Sequence, residues 1–387
     1  MFKTKVGYST NLDPFQAGAE TALTVTKENS CKAGIIFANA DMDVQKVLEG
    51  VKSVFGNKPV IGCTSSGGIV VPDGFITGDA YCGMMSFAGD DLIMGAAGYE
   101  KGKETARELG KKIAREAITN AGIKKVPSYF YMVASPKEEE EYLKGIQDVI
   151  GNVPFFGGSA ADNTIEGKWS IFCNDKVFRD GCAVLFFYAK NECKSVFTGA
   201  YEETKNAGVI TKINGKRILS EIDGEPALKK YAEWLGKDVE KLKGINLLKE
   251  AILNPLGTKD VLGNITVIRE PLVGNDDLSM SMNNEVVCNT AVFKLESTVE
   301  KMLKSNSLVI GQVNEKMKSS SQSYLLFSSF GRKIILGDNI TQIHKEIKDA
   351  VGDKEFIMAF TFGEYGSNEH SSNSCGGLML SFTGFSE

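Results

Sequence analysis

Two histidines, eight cysteines and a few charged residues set in apolar runs carry the chemistry open to this chain of 387 residues. Cys63 is the best-placed nucleophile, because it follows a strand-like run and precedes a turn in Val60-Ile61-Gly62-Cys63-Thr64. A cysteine nucleophile normally works with a histidine base, and no histidine lies near Cys63 in sequence, so a cysteine-dependent enzyme is an alternative reading. His344 falls inside a regular amphipathic pattern and reads as a boundary residue of a helix. His370 sits in the polar run Ser367 to Asn373 just after a strand end, which suits a site better, and Asn373 closes that run. Cys375 lies five residues beyond His370, which is not a usual metal-ligand spacing, and no metal is expected. None of the cysteines at 31, 63, 82, 173, 182, 193, 288 and 375 forms a C-x-x-C pair, and several lie in apolar runs. They read as reduced, mostly buried thiols of a cytosolic protein.

Charges in apolar settings point to recognition. Arg269 ends an otherwise apolar strand, Arg332 follows Ser-Ser-Phe-Gly, and Glu364 stands between Gly363 and Tyr365. A buried arginine calls for a carboxylate, from the protein as an internal ion pair or from a ligand. Three turns rich in glycine and hydroxyls follow apolar strands. The first holds Cys63, Thr64, Ser65 and Gly67, the second Gly157, Gly158, Ser159 and Asp162, and the third Glu364 and Tyr365. Ligands on α/β sheets usually sit beyond the C-terminal ends of strands, where glycine lets backbone N–H groups approach. These residues, with Arg269, Arg332, His370 and Asn373, form the expected ligand site. Gly-Cys-Thr-Ser-Ser-Gly-Gly is neither a Walker A loop nor a G-x-G-x-x-G fingerprint.

The elements that must position them are marked by start and stop signals. Asp13-Pro14 opens a helix. Asp41 precedes a second with Val44, Val47, Leu48, Val51 and Phe55 on one face, stopped by Gly56. Ala106, Leu109, Ile113 and Ala117 line a third, ending near Gly122. Ser135-Pro136-Lys137-Glu138 reads as a capping box for a fourth, and Asp338 as the cap of a fifth that ends at Gly352. Between them lie strand-length runs such as AGIIFAN, KPVIGCTS, SYFYMVAS and GCAVLFF. From Val196 to Gly224 the chain is polar and alternating, as antiparallel strands are.

The order of strand, helix, strand, helix, Gly-rich strand and last strand occurs twice, near 1–90 and 91–193. Pro59 and Gly62 correspond to Pro154 and Gly157 at a constant offset of 95. A third, more divergent copy fits the C-terminus. The expectation is an α/β protein of two domains, 1–193 and 194–387, with repeated βαβαβ units forming mixed sheets covered by helices and antiparallel strands opening the second domain.

Lysines and arginines number 44 against 49 acidic residues, a net charge of −5, which gives no electrostatic reason to bind nucleic acid or an anionic membrane. No run approaches the roughly 20 apolar residues that span a bilayer, so no membrane insertion is expected. Nor does the N-terminus carry a hydrophobic signal core.

Several segments, in order, resemble the FIST family. VIGCTSSGGIVVPDGFITGDAYCGMMSF and FFGGSAADN resemble segments of its N-terminal domain, while ILSEIDGEPALKKYAEWLG, ITVIREPL with DLSMS, FGRKIILGD and FTFGEYGSNEHSSNSCGGLMLSF resemble segments of the second half. Two places depart from the family pattern. Ser329 or Phe330 stands ahead of Arg332 where the family often has cysteine, and the His-Asn segment is stretched over His370-Ser371-Ser372-Asn373. The resemblance implies a small-ligand sensor for signal transduction, with amino acids as ligands and no catalysis, and Arg269 and Arg332 add small carboxylates to the expected ligands. It implies a cytoplasmic protein signalling through a separate partner protein, since no output domain follows in the sequence. It also implies an alternative, a haem-binding nitric-oxide or gas sensor with His370 as axial ligand.

Overall fold

The structure is a computed structural model that describes residues 1–27, 30–259, 265–367 and 373–387. Three units share one plan. The first contributes strands Lys3–Ser9, Cys31–Asn39, Val60–Ser65 and Cys82–Ala88; the second, Ile93–Glu100, Tyr129–Ala134, Phe155–Ser159 and Gly181–Tyr188; the third, Cys193–Thr198, Ser321–Ser329, Glu355–Thr361 and Leu380–Ser386. In each sheet the first strand lies beside the last, the last beside the second, and the second beside the third. Only the second and third strands are parallel, so each sheet is mixed. The expected repeated α/β units are therefore present, and the divergent C-terminal segment adopts the same strand order.

Local chemistry accounts for the frame. Asp13 accepts the N–H of Gln16 and Pro14 opens the helix Pro14–Thr26; left-handed Gly122 ends Ala106–Ala121. Each pair of unit helices packs on its sheet through an apolar stripe, as Val47, Leu48, Val51 and Phe55 do in Val44–Phe55. Gly62 and Gly157 play one role in two units. A Cβ there would lie 1.8 Å from the Ile36 carbonyl oxygen or 1.9 Å from that of Met132, so only glycine lets the parallel neighbour come so close.

Three caps differ from expectation. Asp43, not Asp41, caps Val44–Phe55. Asp338 lies in a short 3₁₀ turn, Gly337–Asn339, ahead of the helix Ile340–Val351, which has no side-chain cap. Ser135-Pro136-Lys137-Glu138 is not a capping box: the fourth helix is Glu139–Ile150, without a side-chain cap. Ser135 Oγ instead donates to Asp180 at 2.9 Å, and Lys137 takes a left-handed φ of 98°, which no α-helical turn contains.

The units are interlocked by exchanged hairpins. The hairpin Ile69–Val71/Gly74–Ile76 of the first unit extends the third sheet, Ile171–Cys173/Lys176–Phe178 of the second extends the first, and Glu364–Gly366/Ser374–Gly376 of the third extends the second. One apolar core runs through all three units, with Cys63, Tyr131 and Phe327 among its members. Between the first strand of the third unit and its first helix, Val299–Lys316, an antiparallel sheet is inserted, with strands from Glu202–Asn214 to Ala291–Glu296. It has its own core around Leu219, Tyr231 and Met280.

Candidate functional site

The strand ends that carry the glycine-rich turns do converge. The N–H of Ala161 donates to the Thr64 carbonyl at 3.1 Å, that of Phe362 to the Ser159 carbonyl at 3.4 Å and that of Ser66 to the Phe360 carbonyl at 3.0 Å, so every pair of units is bridged. Most polar groups of the turns are spent within the protein, although Ser66 Oγ is buried without a partner among the described residues. Ser159 Oγ and the Tyr365 hydroxyl share a hydrogen bond at 2.7 Å, Ser65 Oγ donates to Gly68 and accepts from Phe360, and Thr64 Oγ1 accepts the N–H of Ser170. Gly158 pairs with Glu364 across a strand register. Cys63 is fully enclosed, and burial pushes its thiol up to about 12, so it packs as a protonated side chain.

The buried charges are satisfied internally in an unexpected way. Arg332 donates to the Gly199 carbonyl at 2.7 Å, the Met302 carbonyl at 3.3 Å and Ser305 Oγ at 2.5 Å. Among the described residues no carboxylate lies in ion-pair range of it. Glu364 accepts from the N–H of Met379 and the hydroxyl of Thr361, both at 2.9 Å, and burial holds its carboxyl well above the usual range. Arg269 donates to the Cys375 carbonyl at 3.3 Å. Asn373 holds the Val153 carbonyl at 2.7 Å, and the N–H of Gly67 donates to Asn163 at 2.7 Å. His370 lies outside the described residues.

The open space lies next to these residues, in a cleft of about 630 Å³ between the inserted sheet and the ends of unit strands. The second unit supplies Pro136, Lys137 and the loop Ile165 to Trp169; the third supplies Ser329, Phe330, Gly331 and Phe362; the inserted sheet supplies Arg217, Ile218, Glu270, Leu272, Met282 and Asn283. No described residue of the expected ligand set lines it. Asp162 acts one step behind: its buried carboxylate accepts the N–H groups of Thr164 at 3.0 Å, Lys168 at 2.7 Å and Ile165, folding the loop that forms the wall. Ile165 is thereby held at φ 61°, a costly conformation for a β-branched residue, with the residue 54% exposed.

Half-buried aromatic rings form one side of the cleft. Trp169 meets Phe362 edge to face at 5.9 Å, and Phe330 meets Phe362 at 5.5 Å. Glu270 is 4% exposed. Its carboxylate accepts from the Asn283 amide at 3.1 Å and has no cation in ion-pair range among the described residues, so burial pushes it up to about 7. Arg217, by contrast, is saturated: it contacts Glu140 at 2.5 Å and Glu139 at 3.2 Å, and donates to the Asn283 carbonyl. Burial, aided by Glu140 and opposed by Arg217, raises Glu139. Lys137 at the mouth is exposed and its ammonium has no partner among the described residues.

The sequence signal for this cleft was weak but present: Glu270 adjoins Arg269, Phe330 and Gly331 adjoin Arg332, and Phe362 adjoins the Gly363-Glu364 turn.

No curated protein matches this chain. A crystal structure of a cyanuric acid hydrolase from A. caulinodans aligns over 99% of both chains at 9% identity with a TM-score of 0.35. Among family models, the FIST N domain matches residues 32–225 and the FIST C domain residues 227–367. Together they span most of the fold just described, including both faces of the cleft, and the chain belongs to the FIST family of small-ligand sensory domains in signal transduction.

Proposed function

We propose that the protein is a cytosolic sensor that binds a small amine-bearing molecule of the amino-acid class in the cleft beneath the inserted sheet, without turning it over, and signals through a separate protein. The observation that carries this reading is Glu270, a buried carboxylate without a cationic partner among the described residues, beside an aromatic wall. A carboxylate held out of water is costly until a cation meets it, and an ammonium beside Trp, Tyr or Phe faces gains further from their quadrupoles. Lys137 offers the complementary charge for a ligand carboxylate. The inserted sheet and the units each contribute part of the wall, so occupancy bears on their relative position.

The alternative of a Cys63-dependent enzyme finds less support, because that thiol is fully enclosed and burial raises it. The eight cysteines are free thiols, in keeping with a reducing compartment, and among the described residues no helix is long and apolar enough to cross a membrane. The haem alternative finds less support: the described histidine, His344, bonds the Pro72 carbonyl at 3.0 Å and does not line the cleft.

The test is thermal shift and calorimetry of the purified protein against amino acids, simple amines and small carboxylates lacking an amine. Stabilisation by amino acids that is lost in Glu270→Gln supports the reading. Binding confined to amine-free carboxylates, or binding indifferent to Glu270→Gln, overturns it.

A further inference from the structure

A single amino acid leaves most of a 630 Å³ cleft filled with water, since pockets of about 300–1,000 Å³ take drug-sized ligands. The cleft also does not end at Trp169. A second compartment of about 300 Å³ adjoins it, lined by Ser135, Arg179 and Asp180 and sharing Pro136, Lys137, Gly167 and Trp169 with the first. Trp169 is fixed as the sill between them by its indole N–H, which donates to the Arg179 carbonyl at 2.9 Å.

The charges along this path are ordered. Glu270, without a cation, lies in the first compartment, Lys137 belongs to both, and Arg179 lines the second. Of the other carboxylates on the path, Glu138 is paired with Lys101 and Glu166 with Lys168, and the exposed Asp180 accepts from Ser135 Oγ at 2.9 Å. The guanidinium of Arg179, like the ammonium of Lys137, has no partner among the described residues. From one end to the other the path offers a buried carboxylate, an aromatic wall and two exposed cations.

Resting on the reading of the first compartment as an amine site, we infer that the ligand is a short peptide rather than a free amino acid. Its N-terminal ammonium lies at Glu270, its first side chain lies against Trp169, Phe330 and Phe362, and an acidic C-terminal residue crosses the sill to Lys137 and Arg179. The two carboxylates of such a residue match two cations that the fold leaves unpaired. A guanidinium can take one of them through two parallel hydrogen bonds.

The experiment is calorimetry of the full chain with phenylalanine, phenylalanyl-glutamate and N-acetyl-phenylalanyl-glutamate. The dipeptide binds at least tenfold more tightly than phenylalanine, and the acetylated form, which has no ammonium, loses that affinity. Arg179→Met lowers dipeptide affinity about tenfold, with phenylalanine affinity as the internal reference. Equal affinity for phenylalanine and the dipeptide, or an Arg179→Met variant that binds the dipeptide as before, overturns the second compartment and leaves the amine site standing. Binding that survives N-acetylation, or no binding by any of the three, overturns this inference, and a companion titration of Glu270→Gln with the wider amino-acid panel shows whether the amine site falls with it.

Discussion

Asn283 ties Glu270 to the third unit: its side-chain amide donates to Glu270 at 3.1 Å and to the Phe362 carbonyl at 3.3 Å. One residue following a strand of the inserted sheet thus holds the carboxylate and the aromatic turn side by side in the wall of the cleft. The other face of the same connection is ionic, with Lys144 and Lys216 contacting Glu285 at 2.9 and 3.1 Å. The inserted sheet is fastened to the helix Glu139–Ile150 by charges and opens onto the cleft beside them.

Glu270 sets a pH dependence whose sign follows from burial. Its carboxyl is pushed from 4.5 to about 7, so the folded state holds a proton that the unfolded state has already lost between those values. Its contribution to stability is full below pH 4.5, declines as pH rises to about 7, and amounts to about 3 kcal/mol over that interval. Thermal melts of the wild type against Glu270→Gln from pH 4.5 to 8 will show this component flattened in the variant. An identical pH profile in both proteins counts against the assignment.

Arg332 bonds the frame and does not line the cleft. Arg332→Met leaves the Gly199 and Met302 carbonyls and Ser305 Oγ without their shared donor, and removes a guanidinium 6.0 Å from the Tyr201 ring. Denaturant unfolding should give a loss of about 2–4 kcal/mol. Ligand affinity measured on the folded fraction should stay within about twofold of wild type. A selective loss of binding with unchanged stability would return Arg332 to the ligand site.

Asp162→Ala frees three backbone N–H groups and the strained turn at Ile165. Hydrogen exchange over residues 163–169 should rise by an order of magnitude or more, with a stability loss of about 1–3 kcal/mol and weaker ligand binding. Unchanged exchange in that loop would show that other contacts hold it.

Gly157→Ala places a Cβ 1.9 Å from the Met132 carbonyl oxygen at a φ of 148°. The two parallel strands must then separate, and a loss of about 3 kcal/mol or more is expected, seen as insoluble expression or a lowered melting temperature. Gly151→Ala is the control, since its Cβ meets nothing within 4 Å although its φ is 75°.

Cutting the chain near Asn191 should leave neither part folded. The first sheet is extended by a hairpin of the second unit, but the second sheet depends on a hairpin from the third and the third on one from the first. The fragments expressed apart should aggregate, whereas co-expressed fragments should assemble. Two well-dispersed NMR spectra from the separate fragments would refute the interlock.

The sequence by itself determined the alternation of strands and helices, because each element's apolar period and stop signal are local: Gly122 ends its helix wherever that helix packs. It also marked the equivalence of Gly62 and Gly157, since the close parallel approach requires the same residue in both units. Tertiary structure decided the cleft. Its walls come from near residues 137, 165–169, 217, 270, 330 and 362, and no spacing along one segment records that they meet. Arg269 and Glu270 show the same divide at adjacent positions. Successive side chains of an extended segment point to opposite sides, so the arginine meets the Cys375 carbonyl while the glutamate faces the open space. An arginine in an apolar run announces a buried charge; whether carbonyls, a carboxylate or a ligand satisfies it depends on groups far away in the chain, as the Gly199 and Met302 carbonyls on Arg332 show.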